Sequence, residues 1–251
     1  DVHFKDAQDF RTSVKILSLA PEEFEKLKKV VKEKKETINS VLHTAMIFSA
    51  HHNLSGCDCD FFRTLTPISL RPYAKPKIDW MDIGNFISTF VYDYKFPKVV
   101  NTDFFNIDLQ NFWKLCSDYR SKLLKTVPTT IKEIGLLNYL GKDNDSWEDF
   151  FKNKSETSHK GRDYSLLLSN LGKFPSDIPN PSDNCKIVDM IFTQSLYKNG
   201  PTVLVTSVCY DKKLYFSIIY QKGVFLDDGK VERFGKGMVE CLRLVAKGNI
   251  E

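Results

Sequence analysis

Two adjacent apolar runs near the end of the chain restrict its fold more than any other feature. Residues 202–210 and 214–220 are rich in β-branched and aromatic side chains. Asp211-Lys212-Lys213 separates them and suits a tight turn. Runs of this kind joined by a short polar turn predict an antiparallel hairpin. The fold therefore has to contain a β-sheet in this part of the chain.

Further elements surround the predicted hairpin. Strands are also expected at residues 14–19, 64–70, 86–92, 164–171 and 187–193. Helices are expected from about residue 20, at 38–51, 103–125 and 131–140, and at 231–246. Residues 142–162 are polar and carry no clear pattern. This order predicts an α/β (α+β) fold, a mixed β-sheet with helices packed on it.

Polar residues in front of the predicted helices suggest where these helices begin. Ser18 is a candidate cap for the first helix, and Pro21 suits its first turn. Thr37 is expected to cap the second helix, and Thr102 or Asp103 the long third one.

The composition agrees with one large domain or two small ones and argues against a nucleic-acid partner. The chain has 251 residues, 42% of them hydrophobic, and a net charge of +4. Part of that charge comes from residues 26–35, where lysines occupy the polar side of an amphipathic helix. Nucleic-acid binders show a basic stripe with interleaved aromatic residues, and that pattern is absent.

The cysteines and the apolar runs argue against a metal centre and against a membrane span. Of the six cysteines, only Cys57 and Cys59 form a close pair, so reduced thiols are expected and no metal. No apolar run reaches the roughly 18 residues that a bilayer requires, and no signal peptide opens the chain. A cytoplasmic location is the expectation, with peripheral attachment to the endoplasmic reticulum or to lipid droplets left open.

Three short segments, in a fixed order, carry a family resemblance. The first is Ser18-Leu19-Ala20-Pro21-Glu22-Glu23-Phe24, followed by Thr37-Ile38-Asn39-Ser40-Val41-Leu42-His43. The second is Thr66-Pro67-Ile68-Ser69-Leu70-Arg71-Pro72, followed by Gly84-Asn85-Phe86-Ile87-Ser88. The third is Leu168-Ser169-Asn170-Leu171-Gly172-Lys173-Phe174. Together they resemble the second half of the CoA-dependent acyltransferase superfamily, and most of all the alcohol acetyltransferases.

The resemblance implies one lobe of a two-lobed, chloramphenicol acetyltransferase-like enzyme. Residues 1–251 would form the C-terminal lobe, and the start of the chain looks like a cut into a longer protein. In the family, an H-x-x-x-D-G segment of the N-terminal lobe supplies the general base. The C-terminal lobe forms the other wall of a tunnel that takes acyl-CoA and the acceptor.

None of the five histidines begins an H-x-x-x-D-G segment. His159 to Asp163 fits H-x-x-x-D, but Tyr164 follows where the family has Gly, so a coincidence is expected. His43 lies on an apolar helix and is expected to be a core histidine. The catalytic set of this chain is therefore predicted to be incomplete.

By resemblance, several residues would line the tunnel or support it. Ser169 and Asn170 would face it as donors to the thioester oxygen, or would serve only a local turn. Gly172 and Lys173 would contact CoA, and Lys173 or the loop with Lys75 and Lys77 would meet its phosphates. Structural roles are expected for a further set of motif residues: Arg71, Gly84 and Asn85.

The expected function is acetyl transfer from acetyl-CoA, as a co-substrate, to an alcohol. The acceptor could instead be a long-chain amine such as a sphingoid base, and the chain could instead be a non-catalytic interaction lobe or a condensation-type domain. Its expected partners are acetyl-CoA, the acceptor and its own N-terminal lobe. Acyl chain length and oligomeric state do not follow from the sequence.

Overall fold

The computed structural model describes residues 11–54, 61–79, 82–95, 108–133, 144–158, 161–175, 187–197, 199–222 and 227–248. The strands are β1 (Thr12–Leu19), β2 (Phe61–Ser69), β3 (Ile87–Lys95), β4 (Leu166–Lys173), β5 (Val203–Tyr210) and β6 (Lys213–Gln221). The helices are α1 (Pro21–Glu33), α2 (Ile38–Asn53), α3 (Leu109–Glu133), α4 (Asn144–Thr157) and α5 (Asp228–Lys247). A short 3-10 turn spans Arg71–Tyr73.

The strands form one mixed sheet in the order β1-β6-β5-β4-β2-β3. Strands β2, β4 and β5 run parallel, and the remaining pairs are antiparallel. The carboxyl ends of β2, β4 and β5 consequently meet at one edge of the sheet, which we call the carboxyl edge. The predicted mixed sheet with flanking helices is confirmed.

The predicted hairpin is formed by β5 and β6. Tyr210 pairs with Lys213, so Asp211 and Lys212 make a two-residue turn. Both have positive φ, 42° and 66°. Positive φ at both central positions is the type I′ geometry, which matches the twist of the flanking strands.

Helices α1, α2, α3 and α5 cover one face of the sheet, which we call the helix face. Helix α2 is buried almost all round because it contacts both α3 and α5, and Leu42, Ala45 and Met46 are fully enclosed. Helix α5 approaches β1 closely at Gly235, where an added Cβ would lie 2.6 Å from Leu17 Cδ1. The main core therefore lies between the helices and this face.

An extended segment, residues 187–197, crosses the opposite face of the sheet; we call it the strap. The strand predicted at 187–193 is wrong, because β5 is already paired on both sides and the strap lies over the face. The Thr206 hydroxyl donates to the Phe192 carbonyl at 2.5 Å, and Tyr210 donates to the Ile187 carbonyl at 3.1 Å. The alternating pattern thus arises from one-sided packing.

Two predicted helix caps differ from the structure. Ser18 lies inside β1, and the first turn of α1 is instead served by Glu23, whose carboxylate accepts from the Ala20 amide at 3.0 Å. Helix α3 begins at Leu109, where Asp108 accepts from the Asn111 amide at 3.1 Å. Thr102 and Asp103 lie outside the described residues.

The middle of the chain also differs from its prediction. Helix α3 continues through Pro128 to Glu133, so no break follows residue 125, and residues 134–140 of the predicted next helix lie outside the described part. Helix α4 occupies most of the polar stretch that carried no clear pattern. Among the described residues, no helix combines the length and the apolar character that a membrane crossing needs.

Candidate active site

The carboxyl edge brings together the segments that carried the family resemblance. Parallel strands place their carboxyl ends side by side, and such edges commonly hold ligands. Strand β2 ends just before the Arg71 turn, β3 begins just after Gly84 and Asn85, and β4 ends at Lys173. The expected site residues therefore share one edge, although they are far apart in sequence.

Ser169 and Asn170 point to opposite faces of the sheet. Leu166 and Leu168 belong to the core beneath the helices, whereas Leu167 packs in a separate cluster on the opposite face. Side chains alternate along a strand. Asn170 therefore faces the helices, and Ser169 faces the side that the strap crosses.

The Asn170 amide is hydrogen-bonded to three other residues. Its Oδ1 accepts from the Gly172 amide at 2.9 Å and from the Ser207 hydroxyl at 2.9 Å. Its Nδ2 donates to Asn39 Oδ1 at 3.4 Å. Both lone-pair directions of Oδ1 are used. Asn170 ties β4, β5 and α2 together at the carboxyl edge.

The bonds continue from Asn39 into the buried core. Asn39 Nδ2 donates to the Tyr119 hydroxyl at 3.2 Å, and that hydroxyl donates to Thr66 Oγ1 at 2.8 Å. Burial raises the pKa of Tyr119 to about 12. We call the set Ser207, Asn170, Asn39, Tyr119 and Thr66 the polar chain. Each member donates toward the next, so the bonds have one direction.

The sequence reasoning missed four members of the polar chain. Asn39 and Thr66 appeared only within family segments, Tyr119 only within the predicted helix 103–125, and Ser207 only within the predicted strand 202–210. Asn39 and Ser207 are polar residues inside largely apolar elements, which was the available signal. Their partners could not be inferred, because they lie on four separate elements.

Ser169 has a different environment. It is half-buried, and no hydrogen bond joins its hydroxyl to another residue of the described part of the chain. On the same face of the sheet, Leu171 of β4 is 54% exposed. Val91 and Ile87 of the edge strand β3, which β2 separates from β4, are 48% and 47% exposed. We call this surface the open strip. Its Ser169 hydroxyl is available to a ligand.

The end of β4 bends sharply at Gly172. Its φ is +72°, in the region that glycine adopts without strain, and an added Cβ would meet nothing within 4 Å. Glycine is therefore required by backbone conformation rather than by space. The register to β5 shifts here, and Lys173 pairs with Cys209.

Two lysines lie near this bend. Burial raises the pKa of the Cys209 thiol, and the charges of Lys28 and Lys173 oppose that shift. Lys173 is exposed. Lys28 is paired with Glu25 at 2.5 Å. Lys173 therefore carries the positive charge at this end of β4 that would attract an anionic ligand.

Arg71 holds the loop between β2 and β3. Its guanidinium donates to the Asp82 carbonyl at 2.6 Å and also to the Asp79 carbonyl. It lies 4.6 Å from the centre of the Phe86 ring. An added Cβ at Gly84 would approach the same ring to 2.5 Å. Asn85 is exposed beside this cluster.

His43 is enclosed in the core. Thr64 donates its proton to the Tyr92 carbonyl at 3.2 Å, so His43 Nε2 donates to Thr64 at 2.8 Å. The ring stacks on Tyr119 with 3.8 Å between centroids. Among described residues, its Nδ1 has no hydrogen-bond partner. Burial lowers the pKa of His43 to about 3, so it cannot serve as a base near neutral pH.

The other histidines do not complete the site within the described chain. His51 and His52 lie twelve or more residues along α2 from Asn39, about 18 Å by the helical rise. His159 lies outside the described residues, while the Asp163 carboxylate accepts a hydrogen bond from Ser158. In the described ranges, no group of His, Cys, Asp or Glu is arranged to hold a metal ion.

Solved structures of acyltransferase-like and related domains share this fold. One is the trichothecene 15-O-acetyltransferase TRI3 from Fusarium sporotrichioides, with TM-score 0.67, 16% identity, 95% of this chain and 48% of that chain covered. Another is the epimerization domain from the third module of tyrocidine synthetase B, with TM-score 0.60, 12% identity, and 96% and 50% covered. Polyketide synthase associated protein 5 from Mycobacterium tuberculosis gives TM-score 0.59, 14% identity, and 95% and 53% covered.

The chain spans about half the length of these structures. A sequence search of curated proteins found no match. The profile of the family described as alcohol acetyltransferase matches residues 4–225, which is most of the chain. The chain belongs to the alcohol acetyltransferase family.

Proposed function

We propose that residues 1–251 form the C-terminal lobe of an acetyl-CoA-dependent acetyltransferase that acetylates the hydroxyl group of an alcohol. The family match supports an acyl transferase. TRI3 is named as an O-acetyltransferase, an enzyme that transfers an acetyl group to an oxygen atom. An alcohol acceptor for this chain agrees with that activity, and the substrate of TRI3 is not assigned to this chain.

The transfer of an acetyl group from a thioester to an alcohol requires two kinds of group from the protein. The acceptor oxygen attacks the thioester carbonyl carbon, and its proton passes to a general base. The carbon–sulfur bond then breaks, and the CoA thiolate leaves and takes up that proton. A base near neutral pKa and a donor to the developing oxyanion supply the catalysis.

The observation that carries the proposal is the Ser169 hydroxyl at the carboxyl edge. It lies on the open strip and makes no bond to the described protein, so it can donate to the thioester oxygen. Asn170 faces the helix layer and has its Oδ1 and Nδ2 engaged. The proposed oxyanion donor is therefore Ser169, and Asn170 is assigned to the support of the strand.

Lys173 is assigned to the CoA phosphates. It follows the Gly172 bend, is exposed, and shares its surroundings with Lys28. The phosphates of CoA are strongly anionic, and the exposed ammonium group of Lys173 would attract them. The exposed Lys75 and Lys77, beyond the end of β2, extend the positive charge of this edge.

The general base is assigned to an N-terminal lobe, in the H-x-x-x-D-G segment of the family. Such a lobe would cover the open strip, which exposes the large apolar side chains of Ile87, Val91 and Leu171. The buried His43 supports this assignment, since its pKa of about 3 removes it as a base.

The test follows the release of free CoA thiol from acetyl-CoA. The complete polypeptide carrying this chain is incubated with short alcohols, long alcohols and sphingoid amines in separate arms. We expect thiol release with alcohols, and none from the 251-residue chain alone. Turnover with amines only would replace the alcohol by an amine. An absence of thiol release in every arm of the complete protein would favour a non-catalytic interaction lobe.

A further inference from the structure

The polar chain links the helix layer to the strand that carries the proposed oxyanion donor. Asn39 lies in the first turn of α2, Tyr119 in α3, Thr66 in β2 and Ser207 in β5. Their bonds converge on Asn170, one residue after Ser169 and two before Gly172. Four elements therefore act on the end of β4.

The Gly172 bend is held by a hydrogen bond to the Asn170 side chain rather than by backbone pairing with β5. Its amide donates to Asn170 Oδ1 at 2.9 Å, and the register to β5 shifts between Asn170 and Lys173. A strand that leaves its ladder needs another restraint to keep one conformation. Asn170 provides that restraint only while its own amide plane is fixed.

The Asn170 amide plane is fixed from both sides. Ser207 donates to Oδ1, and Asn39 Oδ1 accepts from Nδ2. Asn39 is oriented in turn because its Nδ2 donates to the Tyr119 hydroxyl, which reserves Oδ1 for Asn170. Tyr119 cannot turn away, since it is fully buried and stacked on His43.

We infer that Tyr119 and Asn39 are positioning residues, which act through Asn170 to fix the Gly172 bend and with it the directions of Ser169 and Lys173. The inference rests on the proposed function for its catalytic consequence, and on the hydrogen bonds alone for its structural one. Loss of the Tyr119 hydroxyl leaves Asn39 free to turn its amide, so the restraint on Asn170 weakens.

The structural test measures hydrogen exchange at the Gly172 amide in the 251-residue chain. Tyr119→Phe and Ser207→Ala are each expected to speed this exchange about five-fold, the effect of one lost hydrogen bond. Matched controls are Tyr92→Phe and Ser217→Ala. Tyr92 is a buried tyrosine whose hydroxyl bonds Asp118 instead, and the Ser217 hydroxyl is buried without a partner among described residues.

The result that overturns the inference is equal exchange at Gly172 in Tyr119→Phe and wild type, or equal acceleration in Tyr92→Phe. This measurement needs no substrate, so it decides the positioning role even if the complete protein transfers no acetyl group. An absence of turnover in the wild type would contradict the proposed function and leave the positioning role intact.

The catalytic test uses the complete polypeptide and separates kcat from KM. Tyr119→Phe is expected to lower kcat about five-fold with little change in the KM for the acceptor, since only the geometry at the thioester changes. Asn39→Ala should behave in the same way, and the Tyr92→Phe control should keep the wild-type kcat. A Tyr119→Phe variant with wild-type kcat, or one that loses only thermal stability, would contradict the catalytic consequence.

Discussion

The two faces of the sheet differ in how they are closed. The helix face is covered by α1, α2, α3 and α5 and contains the main core and the polar chain. The opposite face is covered by the strap over β5 and β6, while the open strip leaves large apolar side chains exposed. Ser169 and Asn170 are adjacent in sequence but belong to these two environments. On the covered helix face the Asn170 side chain is held in one orientation, whereas on the open strip the Ser169 hydroxyl is accessible to a ligand.

The largest expected difference between the faces is in stability. Leu42→Ala removes a fully buried side chain from α2. The lost burial and the cavity should lower the free energy of unfolding by about 2–5 kcal/mol. Leu171→Ala on the open strip is the matched control and should cost less than about 0.5 kcal/mol. Urea unfolding of both variants measures the contrast, and equal losses would erase the distinction between the faces.

The second expectation concerns acid sensitivity of the helix face. Burial lowers the pKa of His43 to about 3 from an ordinary 6.5, so below pH 6.5 the unfolded chain binds a proton that the folded chain excludes. Its contribution to stability is complete above pH 6.5 and is lost as the pH falls towards 3. The slope approaches about 1.4 kcal/mol per pH unit.

His43→Gln removes the titrating ring and keeps an amide that can donate to Thr64. The free energy of unfolding is measured at several values between pH 7 and pH 4. It should fall less steeply with decreasing pH in this variant than in the wild type. Parallel slopes in the two proteins would mean that His43 is accessible to protons in the fold.

The strap should be the first part of the opposite face to open. Thr206→Val removes the hydroxyl that donates to the Phe192 carbonyl and keeps the size of the side chain. Loss of one such bond weakens the docking by about 1 kcal/mol. Limited proteolysis should then cut within residues 187–197 about five times faster.

Ser88→Ala is the control for that experiment, because its hydroxyl donates to the Thr130 carbonyl on the helix face at 3.3 Å. It should leave cleavage of the strap unchanged. A strap that is cleaved at the wild-type rate in Thr206→Val would show that its other contacts, those of Tyr210, Met190 and Phe192 among them, are sufficient to hold it.

The smallest expected effect lies on the outer surface of the helices. Arg243 Nε donates to Glu23 at 2.7 Å between α5 and α1, and both the Ala20 amide and Arg243 lower the pKa of Glu23. Exposed ion pairs contribute little, so Arg243→Gln should lower stability by about 0.2–1 kcal/mol, and less in 1 M salt. Thermal unfolding at two salt concentrations checks this, and a loss above about 2 kcal/mol would show that the pair is structural.

The sequence predicted the elements whose signal is local. The β5–β6 hairpin followed from its turn and its apolar runs, and α2 from the Thr37 cap, which accepts from the Ser40 amide at 3.1 Å. The strap was mistaken for a strand, since packing on a sheet face and pairing in a sheet give the same alternation. Only the pairing of β5 on both sides separates the two cases.

The candidate site was predicted in part. The family segments identified Ser169 and Asn170, and the strand placed them at its end. Their division between two faces depends on which face the helices cover, and that is a property of the whole sheet. The roles of Asn39 and Tyr119 arise from bonds across 131 and 80 positions of sequence, which no local pattern contains.

The most direct test of the central claim compares Ser169→Ala with Ser217→Ala in the complete polypeptide. Free CoA thiol is followed with acetyl-CoA and an alcohol as substrates. Loss of an oxyanion donor should lower kcat about 100-fold in Ser169→Ala, with Ser217→Ala at the wild-type rate. Wild-type turnover in Ser169→Ala would contradict the assignment of the open strip as the substrate-facing wall.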